Sequence, residues 1–174
     1  VMEENSNKNA VMAATQRDLI AGEVSKDLTR RIILPEKISA AHDEGVLHFH
    51  DADYFIQPIF NCCLINISDM LDKGTVMNGK MIESPKSFQV ACTVMTQIIA
   101  SVASSQYGGQ SVDICHLGKY LRRSYDKFKR NILEASQGKI DEETLESLVQ
   151  ERLRAELQSG VQTIQYQINT LMTT

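Results

Sequence analysis

The chain lacks any surplus of positive charge: 18 basic side chains stand against 22 acidic ones among 174 residues, a formal net charge of −4. That excludes a nucleic-acid-backbone binder of the usual basic kind, whose affinity comes from Lys and Arg neutralising phosphates. No apolar run approaches the ~20 residues that span a bilayer, and no signal-peptide pattern opens the sequence. Cysteine is scarce, and Cys62, Cys63, Cys92 and Cys115 lack the C-x-x-C spacing of zinc or redox sites. Neighbouring Cys62 and Cys63 are poorly placed to bond each other. The expectation is a reduced, cytoplasmic protein with no DNA or membrane partner. Internal repeats, low-complexity tracts and interdomain linkers are also missing. The length suits one domain that buries about two-thirds of its unfolded surface. Neither end reads as a closed domain boundary: the chain starts at Val1, and a helical pattern is still running at Leu171. A piece of something longer is the expectation.

What is present is mostly helical. Residues 1–8 are polar and expected to fray. From Ala10 to Ile33, Val11, Met12, Leu19, Ile20, Val24, Leu28 and Ile32 recur at helical spacing. Pro35 resets the chain, and a second helix runs to Gly45. Val46–His50 then alternates, Asp51–Tyr54 reads as a turn, and Phe55–Ile67 is nearly continuously apolar around Pro58. Such a run predicts a strand covered on both faces, as in an α/β sheet or barrel, with Pro58 at its start or at a bulge. The strand's partners are expected outside this chain. Lys73–Met81, with Gly74, Asn78 and Gly79, predicts a loop or small hairpin. Ser84 and Pro85 predict a helix start, with Ser84 as N-cap, and the helix runs to about Ser105 with small or slender side chains. Gly108–Gly109 ends that helix, and Ser111 is expected to cap the following helix to about Ala135, whose outer face carries Lys119, Arg122, Arg123, Lys127, Lys129 and Arg130. Asp141 caps a last helix in which Gly160 is simply tolerated, at about 1 kcal/mol.

Several residues could carry chemistry. On a strand, Cys62 and Cys63 point to opposite faces, so only one can face a given cavity. By residue type they read as two small buried hydrophobes; a thiol that donates a hydrogen atom or electron is the other use. His48 and His50 would share one face, as metal ligands often do, yet no third ligand stands at definite spacing, so no metal site is assigned. The Gly108–Gly109 turn precedes a helix and could receive a phosphate or sugar oxygen on its amides, but it lacks the G-x-x-x-x-G-K-[ST] and G-x-G-x-x-G spacings. Glu83 and Lys86 flank a helix start, as an acid favoured by the dipole and a solvated lysine. Residue chemistry alone stops at a mostly helical α/β piece with a thiol on a buried strand.

A series of stretches carries further. His42-Asp43-Glu44-Gly45, His48-Phe49-His50-Asp51-Ala52-Asp53, Phe60-Asn61-Cys62, Ile82-Glu83-Ser84-Pro85-Lys86-Ser87, Gln97 to Ser104 and Tyr107-Gly108-Gly109 follow one another in order and spacing. Over roughly Asp18 to Lys129 the sequence resembles the anaerobic, class III ribonucleoside-triphosphate reductases, which are glycyl-radical enzymes. The resemblance implies the fold: mostly α with a few strands, a fragment of the ten-stranded α/β barrel of ribonucleotide reductases, with residues 1–174 as one partial domain and effector and dimer helices at about 85–135. It also implies the chemistry. A thiyl radical removes the substrate's 3′-hydrogen, the 2′-hydroxyl leaves as water, and a second cysteine on the first barrel strand gives hydrogen to carbon 2′.

That second cysteine follows an Asn in the family, and so maps to Cys62; Cys63 would then point into the layer between strand and helices. Asn61, Gly108 and Gly109 map to the substrate site. Glu83, Lys86, Gln97 and Lys129 map to the site for a nucleotide effector at a homodimer interface. No cofactor is expected within these residues. The glycyl radical, installed by an S-adenosylmethionine iron–sulfur activase, the zinc and the thiyl cysteine belong to segments not found here, with formate as the implied reductant. The resemblance assigns no role to His48 or His50. The competing expectation is a non-catalytic helical module that dimerises or binds nucleotides.

Overall fold

A computed structural model describes residues 13–59, 61–77, 79–106 and 108–171, apart from the side chains of Ala14 and Leu171. The polar stretch 1–8 and the individual positions Phe60, Asn78 and Tyr107 therefore lie outside the described residues. The chain divides at residue 61 into two compact units.

In the first unit, α1 (Ala13–Leu28) continues through a π-helical turn (Thr29–Ile33), and α2 spans Glu36–Asp43. The break between them follows from Pro35, which disfavours helical geometry at the preceding residue; Leu34 is extended, with φ −70° and ψ 140°. The expected apolar stripe of α1 does not face this unit's interior. Ile20 is 65% and Ile32 73% exposed. The inward face is small and polar instead: the Ser25 and Thr29 hydroxyls donate to the Ala52 carbonyl, at 3.4 and 3.1 Å. Residues 46–59 form turns, not the expected strand, and Phe55, Ile56 and Ile59 are exposed. Pro58 offers no N–H for a sheet ladder.

The second unit holds the rest: β1 (Cys63–Ile65), α3 (Ile67–Asp72), β2 (Thr75–Met77), β3 (Lys80–Ile82), α4 (Phe88–Ala103), β4 (Gln110–Val112), α5 (Gly118–Ala135) and α6 (Glu142–Leu171). The strand predicted over Phe55–Ile67 shrinks to three residues. One partner is present after all: β4 pairs with it in parallel, Cys63 opposite Gln110 and Ile65 opposite Val112. The predicted hairpin forms, β2 against β3.

The core sits under this pair. Ile65, Ile67, Leu71, Phe88, Ala91, Cys92, Met95, Ile98 and Tyr120 are buried together, and α4 supplies most of them. Each large apolar side chain buried there contributes about 1.5–3 kcal/mol. A smaller cluster of Ile132, Leu145 and Val149 ties α5 to α6. The helix starts differ from expectation in two places. The N-cap of α4 is Ser87, whose hydroxyl accepts from Val90 N; Ser84 and Pro85 instead receive Arg123, which donates to Ser84 Oγ at 3.2 Å and to the Pro85 carbonyl at 2.6 Å. Ser111 lies in β4, and Asp113 caps the next turn by accepting from Cys115 N at 2.8 Å. The Asp141 cap stands, accepting from Thr144 N at 2.8 Å.

Candidate functional site

The adjacent thiols part at the entrance of β1, which begins at Cys63. Cys63 packs toward the core, next to buried Ile65 on the same face. Cys62, just before the strand, is exposed, as is Leu64 within it, at 76%. The Cys62 thiol lies beside the Asn61 side chain, with Sγ 3.4 Å from Oδ1.

The backbone around Cys62 is held from behind. Cys63 N donates to the Gly109 carbonyl at 3.1 Å. Gln106 is 7% exposed, and its side-chain Nε2 donates to the Asn61 carbonyl at 2.5 Å and to the Gly109 carbonyl at 2.9 Å. Its Oε1 accepts from the Cys63 thiol at 3.4 Å. Gly108 lies so close to Asn61 that a Cβ would collide with both Oδ1 and the carbonyl group of Asn61, whereas a Cβ on Gly109 would meet open space. Asn61, Cys62, Gly108 and Gly109, expected together, are thus brought together. Sequence reasoning missed Gln106; its only signal was a place beside the Gly-Gly turn.

The four positions assigned to an effector are not gathered in the same way. Glu83, Lys86 and Gln97 are exposed. Gln97 lies nine residues into α4, about 14 Å along the axis from Phe88 at 1.5 Å per residue. Lys129, on α5, pairs with Glu142 at 2.9 Å, which holds its ammonium above the usual lysine range. No described hydrogen bond or ion pair links the four. The amides that open α4 are also occupied: Phe88 N donates to Ser124 Oγ at 2.8 Å, and Gln89 N to Glu156 Oε1 at 3.1 Å. A phosphate there would be met by side chains and not by the helix terminus. The outer face of α5, read as simply solvated, is partly committed. Lys119 pairs with Asp72, whose carboxyl is held below the usual range by the Lys119 and Tyr120 hydrogen bonds, and Arg122 pairs with Asp126.

The histidines of the first unit border a cavity of about 540 Å³ lined by Lys26, Arg30, His42, His48 and His50 among others. His48 Nε2 and His50 Nδ1 lie 3.3 Å apart, and His42 Nδ1 accepts from Phe49 N at 3.2 Å. Among the described residues, no three His, Cys, Asp or Glu side chains converge as a metal would require. No described helix is long and apolar enough to cross a membrane.

Comparison with known proteins matches the sequence to a family. The family described as anaerobic ribonucleoside-triphosphate reductase matches residues 4–174. The chain is 38% identical to the anaerobic ribonucleoside-triphosphate reductase of Salmonella typhimurium over 99% of its own length and 24% of the relative's. It is 38% identical to that of Escherichia coli, with the same coverage. With the enzyme of Enterobacteria phage T4 it shares 38% identity over 98% of this chain and 28% of the relative. The chain thus spans about a quarter of the length of these relatives. It belongs to the anaerobic ribonucleoside-triphosphate reductase family.

Proposed function

We propose that these residues form part of the catalytic barrel of an enzyme that reduces ribonucleoside triphosphates to 2′-deoxyribonucleoside triphosphates, with Cys62 as the hydrogen donor to carbon 2′. The observation that carries this is the different setting of the two thiols: Cys62, just before β1, is exposed, while Cys63 is engaged by Gln106. In the proposed reaction the 2′-hydroxyl takes up a proton and leaves as water, the Cys62 S–H bond breaks homolytically to give its hydrogen atom to carbon 2′, and the sulfur radical left on Cys62 takes a hydrogen atom from formate. Formate, oxidised to carbon dioxide, supplies the two electrons. The glycyl radical, outside these residues, supplies the initial one-electron chemistry when present.

This chain's residues hold and shape. Asn61 offers a carboxamide beside the donor thiol. Gly109, open above its Cα, leaves room for a ribose or phosphate to approach the turn. Glu83, Lys86, Gln97 and Lys129 are proposed to meet a nucleotide effector at the interface with a second copy of the chain. The whole protein is proposed to be a cytoplasmic homodimer served by a radical-installing activase.

The test uses the full-length, activated reductase. Cys62→Ser is expected to lose deoxynucleotide formation by at least ~10³-fold, the scale of removing a reacting group, with the glycyl radical's paramagnetic signal unchanged. Cys63→Ser, which keeps a donor for Gln106, is expected to retain turnover. Turnover in Cys62→Ser, or its loss only in Cys63→Ser, would reverse the assignment.

A further inference from the structure

The described bonds of the Gln106 side chain go to Asn61, Cys63 and Gly109, the residues on either side of Cys62 and the turn beside it. Resting on the reading of Cys62 as the donor, we infer that Gln106 is a positioning residue: its side-chain amide clips the entrance of β1 to the Gly108–Gly109 turn and so fixes where the Cys62 sulfur points.

The geometry is specific. A carboxamide has two N–H donors and one oxygen. Both Gln106 donors are spent on carbonyls, those of Asn61 at 2.5 Å and Gly109 at 2.9 Å, and its oxygen on the Cys63 thiol at 3.4 Å. The reversed amide would set its oxygen against two carbonyl oxygens, so the side chain has one orientation here. The Asn61 carbonyl belongs to the peptide unit before Cys62, and Cys63 N, bonded to Gly109, belongs to the unit after it. Both peptide planes flanking Cys62 are therefore tied to the same turn, and Gln106 supplies the tie on the N-terminal side. Those two planes set the Cα–Cβ direction of Cys62. Gln106 is nearly buried, at 7% exposure, so it acts from behind the strand and not by touching a ligand on the open face. The clip also bonds the carbonyl of Gly109, adjoining the position where open space is available for a nucleotide. One side chain thus couples the donor thiol to the turn proposed to meet the substrate.

A misplacement of about 1 Å in a reacting group costs on the order of 10²-fold in rate. In the full-length, activated reductase, Gln106→Leu, which keeps bulk but no polar atoms, is expected to lower kcat by about that factor, with KM changed by less than about threefold and the glycyl radical signal intact. Gln106→Glu keeps the shape and covers the case in which the leucine variant does not fold. Its carboxylate would repel two carbonyls, whereas the protonated acid restores one donor, so kcat of this variant is expected to rise as pH falls, relative to the parent enzyme. The only titratable group among its described partners is the Cys63 thiol. A structural role alone would reduce folded protein and radical content together and would give no such pH profile. If kcat stays within threefold in both variants, or falls only in step with radical content, the clip is overturned. Turnover in Cys62→Ser would instead strike the proposed function, a separate outcome.

Discussion

Gly160 of α6 lies against the ring edge of Phe88 at the start of α4, so close that a Cβ on residue 160 would overlap the ring and stand 2.9 Å from Cys92 Sγ. Far from being merely tolerated in the helix, the glycine lets the backbone of α6 close onto the Phe88 and Cys92 side chains of α4. Alanine would gain about 1 kcal/mol in helix propensity, yet overpacking a well-filled contact costs about 1–3 kcal/mol, and Phe88 and Cys92 are both buried with little room to yield. Gly160→Ala is therefore expected to lower the urea midpoint of unfolding, against the trend for an exposed helical glycine. A raised midpoint would mean that the two helices separate easily.

Cys92 sits in the same contact. Burial, followed by the nearby Glu156 carboxylate, pushes its thiol up to about 11 from an ordinary value of 9.0. The neutral thiol is thus favoured in the folded state. Its contribution is complete below about pH 9, where both states hold the proton, and is lost as pH rises toward 11, because the unfolded chain releases the proton first. Burial and the Asp72 hydrogen bond raise the Tyr120 hydroxyl as well, so alkaline pH weakens the fold through more than one group. The difference between the parent chain and Cys92→Ala, measured by chemical denaturation from pH 8 to 11, isolates the thiol. The parent should lose stability faster with rising pH; parallel curves would show that the thiol ionises as freely in the fold as in the unfolded chain.

The two turn glycines are expected to separate on mutation. Gly108→Ala drives a methyl into Asn61 and, at about 1–3 kcal/mol for a forced overlap, lowers the melting temperature and disturbs the residue before Cys62. Gly109→Ala meets open space within the chain and should leave melting unchanged to within about 0.5 kcal/mol. In the full-length reductase the same alanine should raise KM for the nucleotide if the turn approaches the substrate. Calorimetry on both variants, with kinetics on the second, reads the two effects apart.

Much of this was legible in the sequence because it depended on local rules. Helical periodicity located α1, α4, α5 and α6, and the Asp141 cap and the small hairpin followed from residue type and turn composition. Period-two alternation foretold that Cys62 and Cys63 would part company. What failed depended on distant partners. The apolar run at Phe55–Ile67 looked like a long strand, but a strand is only as long as the neighbour that pairs with it, and β4 offers three residues. Ser84 and Ser87 are equally good caps on paper; Arg123, 39 residues away from Ser84, holds the first. The jobs of Gln106 and Gly160 likewise consist of contacts with residues remote in sequence.

Lys129 supplies the sharpest test of the proposed effector surface. Its ammonium is already paired with Glu142, so a phosphate binding there competes with a carboxylate for its three N–H donors and meets that carboxylate's negative charge. An exposed ion pair, screened by solvent, is weak, so the competition is small. In the full-length reductase, Glu142→Gln is expected to tighten effector binding by up to about fivefold, while Lys86→Ala and Lys129→Ala weaken it. Ligand binding at about 100 times the dissociation constant stabilises a fold by about 2.7 kcal/mol, so melting curves with each deoxynucleoside triphosphate resolve these differences. Weaker binding in Glu142→Gln would place the carboxylate, not the lysine, against the ligand, and an unchanged response in all three variants would move the effector away from this surface.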